Sequence, residues 1–271
     1  LEGDADAEYD LAFMISSADE RKEAADLYES AALKGNIKAQ SELGINYKSG
    51  IGVKANQQVS IYWLKKAAEK GDAMAQNNLG VLYHNGEGVT KDIDQALYWY
   101  KLSAEQKYGL SFRNLGSLYL TELNEAKKAV ENYELAIEYK DYAAAWDLSY
   151  LYQTGKAGIK INEKLAFKWM LLGAKNYNKH AQFRVSRMYL DGYGVEVDEV
   201  ESTIWLIRAL NRGVDEASDP EWLQEEIEKE LAYRYYWGVG LERSLEKAKE
   251  YDFDYAVSTL SQSAKSSNDL N

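Results

Sequence analysis

The sequence predicts an all-α protein, a right-handed α/α solenoid of about seven antiparallel helix-hairpin repeats. Three observations predict it. Leu43-Gly44-x-x-Tyr47, Leu79-Gly80-x-x-Tyr83 and Leu115-Gly116-x-x-Tyr119 recur at intervals of 36 residues, and self-similarity at such a period marks stacked supersecondary units. A single proline among 271 residues, with Ala, Leu, Glu and Lys abundant, favours helix. Asn56, Asp92, Asn162 and Asp198 occupy one column of the repeat, and all four are preferred N-cap types.

The third unit sets the pattern. Ala75, Leu79, Gly80 and Tyr83 share one helical face, which predicts a helix A ended by Gly86-x-Gly88-Val89, where glycine supplies the left-handed backbone of a helix C-terminus. Asp92 then caps a helix B whose inner face is Ala96, Trp99, Ser103 and Ala104, ending near Lys107. The second unit keeps the same columns in Ala39, Leu43, Gly44, Tyr47, Gly50-x-Gly52-Val53, Asn56, Ser60, Trp63, Ala67-Ala68 and Gly71. The fifth has Ala144, Leu148, Tyr152, Gly155, Asn162, Ala166, Trp169 and Ala174. The sixth has Ala181, Val185, Tyr189, Gly192-x-Gly194-Val195, Asp198, Ser202, Trp205, Ala209 and Gly213.

Two units are degenerate. The first, around Leu11 to Gly35, keeps Leu27 in the tryptophan column with Ala31 and Ala32; the fourth, around Leu115 to Lys140, keeps Gly116, Tyr119, Ala129 and Ala136. Both lack Gly-x-Gly, which predicts tighter connections. The seventh, with Leu231, Tyr235, Gly238-x-Gly240, Ser244 and Ala248, follows an irregular stretch in which Asp219-Pro220-Glu221 reads as an N-cap with proline at the first helical position. The expected organisation is therefore an array over 1–213, a divergent repeat with capping helices over 214–260, and a polar tail over 261–271. Small residues let paired helices approach, while Leu, Tyr and Trp fill the gaps between units.

Composition narrows the function. With 44 acidic against 32 basic residues the net charge is −12, which opposes phosphate backbones and anionic lipid, so nucleic acid is not an expected partner. There is no cysteine, hence no disulfide or thiolate chemistry. No apolar run reaches the roughly 18 residues that span a bilayer, so membrane insertion is not expected. The chain starts at Leu1 rather than Met, and a removed export signal would favour the bacterial periplasm over the cytoplasm.

No catalytic, cofactor or metal motif emerges. Gly86-Glu87-Gly88 follows a helix and recurs, whereas phosphate-binding loops follow a strand and open a helix. His84 and His180 are the two histidines, without Cys or EF-hand spacing around them, so neither a metal nor a cofactor is expected.

The combined pattern, Ala-x-x-x-Leu-Gly-x-x-Tyr, Gly-x-Gly-Val, then Ala-x-x-Trp with Ala-Ala-x-x-Gly, resembles Sel1-like repeats, relatives of tetratricopeptide arrays. The resemblance is strict over roughly 39–108 and 144–213. It implies an adaptor-like α/α solenoid of bacterial type, with roles in secretion, host interaction or toxin immunity and no shared catalytic residues.

Offsets of tetratricopeptide-like geometry, two before, two after, and five and six after the Leu column, then give a candidate concave surface. Arg113, Trp146, Tyr150, Phe183, Arg187, Tyr233, Tyr236 and Trp237 stand out there, because aromatics and arginine are enriched at interface hot spots. The expected function is a non-enzymatic scaffold that binds a protein or peptide on that face. A narrower expectation is an immunity protein that neutralises a basic secreted effector, steered by Glu122, Glu125, Glu131, Glu134 and Glu138 and by Glu225, Glu226, Glu228 and Glu230. From a different class, a hydrolase or cell-wall-modifying enzyme would need a perturbed acid or histidine, near His84 or His180.

Overall fold

The computed structural model describes residues 4–15, 20–211 and 221–251. The expected N-cap at Asp219-Pro220, the Gly213 end of the sixth unit and the polar tail lie outside them. Fourteen α-helices form seven successive hairpins among the described residues. They are α1 (Ala5–Met14) with α2 (Arg21–Leu33), α3 (Ile37–Ser49) with α4 (Gln57–Glu69), α5 (Ala73–Asn85) with α6 (Ile93–Glu105), and α7 (Gly109–Thr121) with α8 (Ala126–Glu138). Then come α9 (Ala144–Thr154) with α10 (Glu163–Lys175), α11 (Lys179–Asp191) with α12 (Glu199–Asn211), and α13 (Glu221–Trp237) with α14 (Leu245–Glu250). Odd-numbered helices are the A helices and even-numbered ones the B helices of an α/α solenoid. The chain divides into two compact units, Leu1–Asp141 and Tyr142–Asn271, each a stack of such hairpins.

Side chains start the helices where the sequence places them. Asn56 accepts from the Gln58 and Val59 amides, Asp92 from Gln95, Asn162 from Leu165 and Asp198 from Glu201, satisfying donors that a helix start leaves open. A second cap column, not foreseen, serves the A helices: Asn36, Asp72 and Asn178 each accept at 2.7 Å from the amide three residues on. The fourth hairpin turns through residues 122–125 alone, where the third uses 86–92, so the tighter connection expected there is present.

Three recurrent contacts hold each stack together. Within a hairpin, the glycine of Leu-Gly faces the large residue that follows the tryptophan column. A Cβ on Gly80 would sit 2.6 Å from the Tyr100 ring, and Gly44 and Gly116 meet Leu64 and Tyr133 in the same way. In the second unit Ser149 and Ser186 hold this column, fully buried; Ser149 Oγ donates to the Ala166 carbonyl and Ser202 Oγ to the Ser186 carbonyl. Between hairpins, three tryptophans bridge their own A helix to the preceding B helix. Trp63 packs with Ala32, Leu43 and Tyr47, Trp99 with Ala68, Leu79 and Tyr83, and Trp205 with Ala174, Val185 and Tyr189.

The second glycine of the loop makes the third contact. At Gly52, Gly194 and Gly240 an added Cβ would collide with the carbonyl of Arg21, Glu163 or Glu199, the first residue of the preceding B helix. These glycines also have φ near +70°, so any side chain there is disfavoured twice over. The Gly-x-Gly signal is thus a docking surface for the loop as well as a helix stop.

The last hairpin departs from the code. The column three after Leu is Asn46, Leu82, Leu118, Leu151 and Met188 in the second to sixth hairpins, but the far larger, charged Arg234 in α13, with 0% exposure. Its Nε donates to Glu230 at 3.0 Å and its terminal nitrogens to Thr203 Oγ1 at 2.8 Å and Ser186 Oγ at 3.3 Å. Burial pushes its pKa down while Glu230 opposes that shift, so the guanidinium is held by partners on three helices rather than by water.

Overpacking the hairpin contact tests this description. Gly80→Leu is expected to lose about 1–3 kcal/mol despite its better helix propensity, because the Tyr100 ring blocks the space. Thermal melting followed by circular dichroism reads it; a variant that melts like wild type would show that α5 and α6 are not in this contact.

Candidate functional site

The A helices carry the residues that packing does not consume. In the second unit, Trp146 on α9, His180 on α11 and Trp222 on α13 make an aromatic run near the starts of three A helices. Ring centroids of Trp146 and His180 are 4.6 Å apart, and His180 and Trp222 meet edge to face at 5.5 Å. The Arg184 guanidinium lies over Trp146 at 5.9 Å. One turn along, Gln153, Arg184, Arg187, Met188, Asp191 and Tyr193 line a cleft of about 220 Å³. Tyr150, 47% exposed, stands on the same face of α9 with Lys156 near its ring.

Arg187 is half-exposed and donates to Glu230 at 3.2 Å, so the carboxylate that anchors buried Arg234 also positions an arginine on the cleft wall. Arg184 is exposed and has no carboxylate partner among the described residues. Its five N–H donors and its place over an indole suit it to grip a carboxylate or stack on a ring of a partner.

The residues expected from sequence divide into groups. Trp146, Tyr150 and Arg187 are brought together, with Arg184 between Trp146 and Arg187. Phe183 turns instead into the packing of the last hairpin, against the cluster of Leu206, Ala209, Leu223, Ile227 and Leu231. Tyr233, Tyr236 and Trp237 form a cluster of their own at the end of α13, with Trp237 edge-on to Tyr236 at 5.2 Å and Arg243 over the Tyr236 ring. Arg113 lies in the first unit, half-buried on α7.

Arg184, Trp222 and Tyr193 escaped the sequence reading, and His180 entered it only as a candidate for an enzymatic site. Arg184 belongs to the column immediately before Leu, which the borrowed offsets skip; that column also holds Glu42 and Glu230. The column two before Leu faces inward more than expected, and Asn77 there is buried, accepting from Ser111 and Asn114.

In the first unit the A helices bring ionisable groups together. Burial, and then the Asp72 carboxylate, raise the pKa of Glu42 on α3. Tyr28 beside it is pushed up to about 12, by burial first and by Glu42 second. His84 on α5 has Nδ1 3.5 Å from the buried Tyr100 hydroxyl and Nε2 3.6 Å from Glu122, which Lys91 holds at 2.9 Å. Burial lowers the His84 pKa, with Glu122 opposing. Both ring nitrogens therefore face structural partners, and Tyr100 is 1% exposed. No group of three or more His, Cys, Asp or Glu suited to a metal ion occurs among the described residues.

The acidic residues do not act as one surface. Glu122 serves Lys91 and His84, Glu125 pairs with Lys128, Glu225 with Lys229, Glu228 accepts from Gln224, and Glu230 serves two arginines. Glu131, Glu134 and Glu138 on α8 remain exposed without an ion pair among the described residues.

The Sel1 repeat family model matches residues 5–36, 37–72, 73–108, 143–178, 179–214 and 229–251, more than half of the chain. Its segments skip 109–142, the hairpin with the short turn. No curated protein matches. Among solved structures, a protective antigen of uropathogenic Escherichia coli is similar at TM-score 0.70 and 26% identity, covering 95% of this chain and 54% of that one. The chain thus spans about half that antigen's length. A Sel1 repeat protein from Oxalobacter formigenes is similar at TM-score 0.62 and 27% identity, covering 92% and 96%. An immunity protein from Pseudomonas aeruginosa has TM-score 0.52 at 18% identity, covering 89% and 83%, a likeness of fold.

The raised pKa of Glu42 has a definite sign. The folded protein holds this proton more tightly than the unfolded chain does, so the residue favours folding at low pH and that contribution is lost as pH rises through the folded-state value. Glu42→Gln is expected to melt higher than wild type at pH 7, with the gap closing toward pH 4. Melting curves across that range check it, and a gap independent of pH would remove the desolvated carboxylate from the account.

Proposed function

Because the chain belongs to the Sel1 repeat family, we propose that it is a non-enzymatic scaffold that binds a partner protein or peptide on the A-helix face of its second unit. One observation carries this reading: an exposed arginine without a carboxylate partner among the described residues, Arg184, sits over a half-buried tryptophan at the rim of a cleft whose other arginine is fixed by Glu230. Recognition sites of proteins concentrate their binding free energy in such aromatic and arginine positions. In this reading Trp146 and Tyr150 supply apolar area, Arg184 and Arg187 orient a partner carboxylate, and Gln153 and Asp191 supply directional hydrogen bonds. Tyr236 and Trp237 extend the surface along α13. Arg113 is a separate contact candidate on the first unit.

The narrower reading, an immunity protein that neutralises a secreted antibacterial effector, is favoured by the net charge of −12 and the exposed carboxylates Glu131, Glu134 and Glu138 of α8. It predicts that co-expression protects cells from one cognate basic effector.

Tyr150→Ala with Arg184→Glu changes the face at two exposed positions outside the clusters that hold the fold. Affinity capture from the native organism, quantified by mass spectrometry, is expected to recover proteins retained by wild type and depleted roughly tenfold or more by the double variant, in line with hot-spot losses of about 1–4 kcal/mol. Equal retention by a variant that melts like wild type would refute this face.

A further inference from the structure

The fourth hairpin lacks a tryptophan that its neighbours have, and the place where that side chain would sit is open. In three repeats the B-helix tryptophan closes over three walls, one alanine of the preceding B helix and two residues of its own A helix: Trp63 over Ala32, Leu43 and Tyr47, Trp99 over Ala68, Leu79 and Tyr83, Trp205 over Ala174, Val185 and Tyr189. The corresponding walls before α8 are Ala104, Leu115 and Tyr119, all in one core cluster, and the corresponding B-helix residue is Asn132. Asn132 does not reach across; its Nδ2 donates to the Lys128 carbonyl of its own helix at 2.8 Å. What remains is a mainly apolar cleft of about 350 Å³, whose lining includes Ala104, Leu115, Tyr119, Phe112 and Asn132. That volume falls at the lower end of the roughly 300–1,000 Å³ found for ligand pockets.

We propose that this cleft is a docking site for a tryptophan side chain presented by a basic segment of a partner, which completes the socket that the chain's own residue leaves open. The side chain is specified by the repeat itself, since the same three walls accept an indole elsewhere in this protein. The flanking charge is specified by α6 and α8. Glu105 lines the cleft, and Glu131, Glu134 and Glu138 are exposed on α8 without ion pairs among the described residues. Lys101 is the cation among the lining residues, and Lys128 is already engaged by Glu125 and the Tyr119 ring. A segment with lysine or arginine around its tryptophan therefore finds net opposite charge, and the protein's overall charge of −12 speeds its approach. The site lies between α6, α7 and α8 of the first unit and does not depend on the A-helix face proposed above.

The probe is the peptide acetyl-Lys-Lys-Trp-Lys-Lys-amide, with Ala in place of Trp as its control, titrated into the isotope-labelled full chain. Saturable shifts are expected at the Ala104, Leu115, Tyr119 and Asn132 amides with the tryptophan peptide, and at least tenfold weaker binding with the control. Asn132→Trp fills the socket from within; it is expected to melt at or above the wild-type temperature and to lose tenfold or more in peptide affinity. Glu131→Lys with Glu134→Lys leaves the cleft intact, and severalfold weaker binding at low salt is expected. Equal binding of the two peptides, undiminished binding to the filled variant, or shifts that avoid these amides would each overturn the proposal.

Discussion

Helices A and B of a hairpin approach closely enough that one of them must omit its side chain where the other presents a large one. Gly44, Gly80 and Gly116 are those omissions, and Leu64, Tyr100 and Tyr133 are what fills them. The rest of the architecture depends on this approach. With the pair drawn together, the Leu column and the Ala column of the preceding B helix become the walls of a socket, and the hairpin's own tryptophan closes it. The loop can then lie on the first turn of the preceding B helix, where only glycine fits. Dispersion and apolar burial do most of the stabilising, so a missing side chain at one of these positions leaves a real gap rather than a rearranged core.

Much of this was legible from residue spacing. The 36-residue period, the B-helix caps and the assignment of Trp63, Trp99 and Trp205 to packing all follow from column positions, because a helix and its cap are decided by near neighbours in sequence. The partners of those columns were less legible. Nothing local marks Tyr100 as the residue opposite Gly80, since that pairing depends on how two helices cross. Arg234 was missed for a similar reason: in sequence it reads as one more surface arginine, and only its neighbours Glu230, Thr203 and Ser186 reveal it as an interior group.

The side chains of the proposed face were half legible. Choosing aromatics and arginines outside the packing columns singled out Trp146, Tyr150 and Arg187, which share the A-helix side of the second unit, whereas the same offsets included Phe183, which packs inward, and skipped Arg184. A shift of one residue on a helix turns a side chain by about 100°, which is enough to exchange a wall for an edge. The acidic positions show the same limit. Their charges are evident in the sequence, yet which are spent on lysines and arginines depends on contacts such as Lys91 with Glu122, 31 residues apart. What distinguishes Glu131, Glu134 and Glu138 on α8 is that they are exposed and hold no ion pair among the described residues.

If the three contacts are the source of stability, a hairpin that lacks two of them should be weaker than neighbours that have all three. Helix α8 has neither the tryptophan that closes the preceding socket nor the long glycine loop, whereas α4 and α6 have both. Residue-resolved native-state hydrogen exchange measures this directly, since opening free energies vary along a structure with local contact. The account predicts that amides between Ala129 and Ala136 exchange at least tenfold faster than their counterparts between Ser60 and Ala67 and between Ala96 and Ser103. Equal or stronger protection of α8 would contradict it.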